Sequence, residues 1–143
     1  MDIYTPFRIC GEALTAQRAK MDVIISNITN IHTTRTPEGG PYKRKVVVFS
    51  AENVNSNFDS QLREAIKTVK VDGVEEAKED EAVRMMHNPG HPDADARGFV
   101  AMPNINLVTE MTDMMLTNRA YEACVTAFDS SKNMALKTME MGK

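Results

Sequence analysis

Tryptophan is absent from the 143-residue chain, tyrosine occurs three times, phenylalanine five times, and cysteine only twice, at Cys10 and Cys124. Two cysteines this far apart make neither a disulfide framework nor a CxxC or zinc-type spacing. Long apolar runs are missing too: a stretch such as Val46 to Phe49 ends after four residues, far short of the roughly 18 that a transmembrane helix needs. The N-terminal stretch MDIYTPFRICGEALTAQ has no basic segment, no apolar core and no small-residue cleavage site, so no cleaved secretory signal is expected. The plain expectation is a cytoplasmic chain, unless a pathway that leaves the N-terminus intact carries it out.

Charge of one sign is also lacking. The formal net charge is -3, and the acid concentrates in the middle: residues 51–99 carry eleven Asp/Glu against six Lys/Arg, while residues 1–50 carry four against seven. A nucleic-acid binder shows a basic stripe that displaces counterions from phosphates. The triplet Lys43-Arg44-Lys45 is too short to count as one, so nucleic acid is excluded as the main partner. No Gly-rich phosphate loop or nucleophile elbow occurs, and Ser130-Ser131 has no base motif beside it. No enzyme activity and no cofactor are expected. One cluster, His87-Asn-Pro-Gly-His91-Pro-Asp93-Ala-Asp95, has ligand types suited to a divalent ion. Its Pro89, Gly90 and Pro92 break the helix that would align the two rings, so a rigid turn whose side chains bond backbone groups is the preferred reading.

What is present is soft, apolar and periodic. Hydrophobic residues make up 42% and charged residues 26% of the chain, as in an ordinary globular domain. Methionine occurs eleven times, seven of them from Met102 to Met141, which makes the apolar content of the C-terminal third adaptable rather than rigid. In the first 31 residues Phe7, Leu14, Met21 and Ile28 fill one line of a seven-residue repeat, and Ile3, Cys10, Gln17, Ile24 and Ile31 another. That 3–4 spacing predicts a helix over 8–31 that packs on a second helix. Near the C-terminus Leu107, Met114, Tyr121, Phe128 and Ala135 alternate with Met111, Asn118, Val125, Lys132 and Met139. Asn104 or Asn106 supplies the N-cap there, and Gly142 ends the helix.

Between the helices the pattern changes. Thr36 to Pro41 is a breaker cluster, Lys43 to Ser50 reads as a strand, and Val69 to Val74 as strand, turn and strand around Asp72-Gly73. Ala82 to His87 and Gly98 to Met102 are further short strands, and Ser60 to Ile66 a short helix. The expected fold class is α+β: two long terminal helices packed as an antiparallel coiled coil, with a small loop-rich β module between them. Residues 1–33 and 104–143 form the helical assembly domain and residues 34–103 the β module. Antiparallel packing brings Cys10 within a turn of Cys124, leaving a cross-helix disulfide and two free thiols as alternatives.

Particular motifs also resemble a known family. Ala13-Leu-Thr-Ala-Gln17, then Met21-Asp-Val-Ile-Ile-Ser26-Asn27-Ile28 and Thr33 before Pro37, resemble the N-terminal signature of the flagellar axial proteins of rod and hook. Arg119-Ala120-Tyr121-Glu122-Ala123 resembles their C-terminal signature. Thr34 to Arg44, Pro89-Gly90-His91-Pro92-Asp93-Ala-Asp95 and Gly98 to Asn106 are similar to the proximal-rod members of that family. Cys124 stands where the family usually has Asn.

The resemblance implies a structural subunit of the bacterial flagellar basal body, polymerising as a helical hetero-oligomer into the proximal rod. That rod is a drive shaft, which transmits torque to the hook and lines the export channel. It further implies a periplasmic place reached through the flagellar type III apparatus without a cleaved signal. The implied partners are further copies, other rod subunits, MS-ring and adaptor proteins, and the export apparatus. Leu14, Met21, Ile24, Ile28 and Ile31 are then expected to pack with Met111, Met114, Tyr121, Val125 and Phe128, within and between subunits. A cytoplasmic coiled-coil binding module, such as an export chaperone, is the alternative.

Overall fold

The computed structural model describes residues 4–53, 67–77 and 82–142. Helix α1 spans Thr5–Thr29, strands β1 and β2 span Lys45–Asn53 and Lys67–Glu76, β3 and β4 span Val83–His87 and Phe99–Pro103, and α2 spans Leu107–Met141. The fold is α+β, with two long helices and two small antiparallel sheets.

Helix α1 starts three residues earlier than its apolar repeat predicts because Pro6 occupies the first turn, where its missing N–H removes no helical bond. It ends at Asn30, whose backbone and side-chain N–H groups both donate to the Ser26 carbonyl, at 3.1 and 2.9 Å. At the start of α2 the Asn106 side chain accepts from the amides of Val108 and Thr109 at 3.0 and 3.4 Å, satisfying two donors that a helix start leaves free. Gly142 follows its last turn.

The strands pair in order, β1 with β2 and β3 with β4. One expectation is corrected: Asp72-Gly73 makes no turn, and residues 67–76 form one continuous strand. Val48 pairs with Gly73 and Phe49 with Val71, so Asp72 is the extra residue of a β-bulge. The dipeptide's turn preference is absorbed as a local kink because the nine residues of β1 hold the partner strand in register on both sides. The expected helix over Ser60 to Ile66 lies outside the described residues.

Buried apolar side chains are few among the described residues: Ala16, Ile24, Tyr42, Ala82, Val100 and Ile105. Phe7, near the start of α1, touches Phe128 in the distal half of α2 edge-to-face, with ring centroids 5.2 Å apart. Asn27, near the end of α1, bonds Glu110 in the first turn of α2 at 3.2 Å. Helix α2 is ten residues longer than α1 (35 against 25), so by helical rise it exceeds α1 by about 15 Å. Among the described residues no helix is long and apolar enough to cross a membrane.

Candidate functional site

Two polar elements fix the geometry around α1. The first is a knot centred on Asn27 and Glu110, each only 1% exposed. The Asn27 amide donates to the Lys45 carbonyl at 2.9 Å and to Glu110 Oε2 at 3.2 Å. Its oxygen accepts from Tyr42 Oη at 3.1 Å and from the Lys45 amide at 2.9 Å. Arg44 closes the knot by donating from Nε to Glu110 Oε1 at 2.7 Å, with Nη2 also 2.7 Å from that oxygen. Ser26 Oγ stands 3.0 Å from Tyr42 Oη; as that hydroxyl donates its proton to Asn27, Ser26 is the donor here. Every polar group of the Asn27 side chain is satisfied, which is the condition for burying an amide without penalty.

Through this knot the Ser26-Asn27 motif joins the end of α1 to the start of β1 and the start of α2. Tyr42, Arg44 and Glu110 were not singled out as site residues in the sequence. The basic triplet hides Arg44, and only the regular spacing of Glu110 with Thr117 could have pointed inward.

The second element is the loop from Asn88 to Gly98. Asp95 Oδ1 accepts from the amides of Arg97 and Phe99, both at 2.8 Å, and His91 Nδ1 accepts from the Asp93 amide at 3.1 Å. Thr34 Oγ1 donates to Asp93 Oδ2 at 2.8 Å, tying the loop to the segment that follows α1. Gly98 sits at φ 78° with room for a Cβ only 3.2 Å from His87 Nε2 and Pro89 Cβ, so a side chain here would be strained on both counts. Pro89, Gly90 and Pro92 are exposed and His91 half-buried. Among the described residues no three His, Cys, Asp or Glu side chains stand together as a metal site would need.

The helices carry the larger surface. On α1 the expected stripe is shielded: Ile24 is buried, and Leu14, Met21, Ile28 and, just past the helix, Ile31 are half-buried. On α2 one line falls where expected, with Met114, Tyr121, Phe128 and Ala135 half-buried. The other does not. Met111, Asn118, Val125, Lys132 and Met139 are all exposed, as is Leu107, and the shielded line is Glu110, Thr117, Cys124 and Ser131, one residue earlier.

The physical reason lies in how these polar side chains are satisfied. Thr117 Oγ1 donates to the Asp113 carbonyl at 2.7 Å and Ser131 Oγ to the Ala127 carbonyl at 2.9 Å, so each hydroxyl is spent within its own helix. Glu110 is satisfied by the knot. The seam therefore accepts polar residues beside Met114, Tyr121 and Phe128, and Met111 and Val125 turn outward.

That outward face is the candidate site. Val108, Met111 and Met115 follow one another at helical steps of three and four, Leu116 flanks them, and Leu136 and Met139 continue distally. Met115 is 62% exposed and Val125 37%. Of the C-terminal motif, Ala120 and Tyr121 are half-buried, while Arg119, Glu122 and Ala123 face outward. An exposed apolar stripe of this length marks a surface for association.

Comparison with known proteins gives the surface a context. A family model described as "Flagellar basal body rod FlgEFG protein C-terminal" matches residues 96–141, which include all of α2. The chain is 36% identical to "Flagellar basal-body rod protein FlgC" of Borreliella burgdorferi, over 94% of its own length and 93% of that protein's. It is 38% identical to the protein of the same name from Bacillus subtilis, over the whole of both chains. The Salmonella typhimurium protein of that name is 36% identical, again over the whole of both.

Proposed function

Since the chain belongs to the FlgC family of flagellar basal-body rod proteins and is a structural subunit of that rod, we propose that it builds the proximal part of the drive shaft. In this reading it transmits torque towards the hook and lines the export channel. The helices form an antiparallel coiled coil on the inner side of the helical array, and residues 34–103 form a β module outside it. The Phe7–Phe128 and Asn27–Glu110 contacts support the antiparallel arrangement, because each joins the beginning of one helix to the far part of the other. The chain works by packing and not by catalysis; the reported relatives are named as rod proteins.

The observation that carries this reading is the outward apolar line of α2. A single chain gains nothing from exposing Met111, Met115, Val125 and Met139, but a head-to-tail helical array buries such a face at every step. The neighbours are further copies of this chain, other rod subunits, and the MS-ring and adaptor proteins at the base. The subunit reaches the periplasm through the flagellar export apparatus with its N-terminus uncleaved.

Val125→Asp tests the assignment. It puts a charge on the outer line, where burial between subunits would be costly. Val125 is 37% exposed in the free chain, so the expected result is a lowered but still cooperative thermal melt of the purified chain together with loss of swimming and of complete basal bodies. Normal swimming and normal rods in the Val125→Asp strain would overturn the proposal.

A further inference from the structure

Cys10 and Cys124 are half-buried free thiols that take part in neither the polar knot nor the outer face. Their places relative to Phe7 and Phe128, whose rings touch, put them in the next layer of the helix pair. Cys10 follows Phe7 by three residues, and Cys124 precedes Phe128 by four. Because the helices run in opposite directions, both steps lead the same way along the pair.

At about 1.5 Å per residue, the two cysteines then differ in height by only about 1.5 Å. At about 100° per residue, the three-residue step turns back by about 60° and the four-residue step turns forward by about 40°. On helices that face each other, these opposite rotations carry both residues to the same flank. With axes about 8–10 Å apart and a Cα radius of about 2.3 Å on each helix, residues rotated off the contact line by these angles have Cα atoms about 5–7 Å apart. That overlaps the span of roughly 4.4–6.8 Å that a disulfide bridges. Cys124 also lies on the shielded line with Glu110, Thr117 and Ser131, and both cysteines are half-buried.

We infer that Cys10 and Cys124 form a reversible disulfide within one chain when it meets a disulfide oxidant. The bond staples the start of α1 to the distal half of α2, opposite the end that the polar knot fixes. One cysteine thiolate attacks a sulfur of the oxidant, forming a mixed disulfide and expelling one thiolate. The second cysteine thiolate then attacks the protein sulfur of that mixed disulfide and expels the other. Two cysteines are oxidised, one disulfide is reduced to two thiols, and the two cysteine protons end on those thiols. The inference rests on the antiparallel reading of the helix pair.

The test equilibrates the full-length purified chain with mixtures of oxidised and reduced glutathione, in native buffer and in concentrated urea. The products are alkylated and read by intact mass and peptide mapping. A monomeric Cys10–Cys124 link should form at an effective concentration at least about tenfold higher in native buffer than in urea, and Cys10→Ser or Cys124→Ser should abolish it. Equal values in the two conditions, single glutathione adducts, or links only between chains would overturn the inference. Amide exchange on the reduced chain separates the two levels of failure. Slow exchange along both helices without the link rejects the thiol pairing alone, whereas fast exchange along both rejects the helix pair as well.

Discussion

The two sides of α2 divide between them the apolar residues that a surface helix usually keeps on one. Its shielded line is Glu110, Thr117, Cys124 and Ser131, interleaved with Met114, Tyr121, Phe128 and Ala135, while Met111, Met115, Val125 and Met139 face out. In a self-sufficient domain the whole apolar set would lie inside. The difference teaches that apolarity in this helix is distributed for two partners. The inner side meets α1 with Met114, Tyr121 and Phe128 set among locally satisfied polar groups. The outer side keeps flexible thioethers for neighbours of more than one shape. Inner residues should therefore govern the stability of the free chain and outer residues mainly its assembly.

The largest effect on the free chain is expected from Glu110→Ala. It removes the acceptor of Arg44 and one acceptor of the buried Asn27 amide. Breaking a buried charge pair by deleting one partner costs about 3–5 kcal/mol; the Arg44 side chain is 34% exposed and can recover water, so about 3 kcal/mol is the expectation. Urea unfolding of the purified variant measures it, and a loss below about 1 kcal/mol, the worth of one ordinary hydrogen bond, would break the claim that the knot anchors the helix pair. Glu110→Gln keeps the shape and one oxygen acceptor and should fall between wild type and Ala.

A smaller effect, with its own internal control, comes from two neighbouring isoleucines on α1. Ile24 is 4% exposed and Ile25 48%. Truncating Ile24 to Ala leaves a cavity and should cost about 2–3 kcal/mol; truncating Ile25 should cost less than about 1 kcal/mol. Equal losses in thermal or urea unfolding would mean that the chain has no preferred inner side. Rod assembly should respond to both, to Ile24→Ala through a destabilised subunit and to Ile25→Ala only where that side chain meets a neighbour.

Much of this was legible from residue order, for identifiable reasons. The α1 stripe was readable because its apolar repeat has a single polar break, at Gln17, and α2 was bounded by Gly142 and by two candidate caps, Asn104 and Asn106, of which the second is used. Strand positions followed from Val46 to Phe49 and from the Gly98 to Met102 segment. The rotation of α2 was not legible. Hydropathy ranks Met111 and Val125 above Glu110 and Thr117, and nothing local reveals that Glu110 meets Arg44 across 66 positions or that Thr117 bonds its own helix. The Asp72-Gly73 bulge was unreadable for a related reason, since pairing with β1 decides between kink and turn.

The smallest effect on the free chain should come from Met115→Ser, and here the two sides of α2 can be told apart most sharply. Met115 is 62% exposed, so the purified variant should unfold within about 0.5 kcal/mol of wild type. Burying a methionine between subunits is worth about 1.5–3 kcal/mol, and a loss of about 2 kcal/mol weakens one contact roughly 30-fold. Since the contact recurs at each subunit, the fraction of cells with complete basal bodies and normal swimming should drop. Met115→Leu preserves apolar volume and should restore both. A Met115→Ser strain with a full complement of rods would remove this side chain from the interface, while a destabilised purified chain would instead show that it belongs to the inner side.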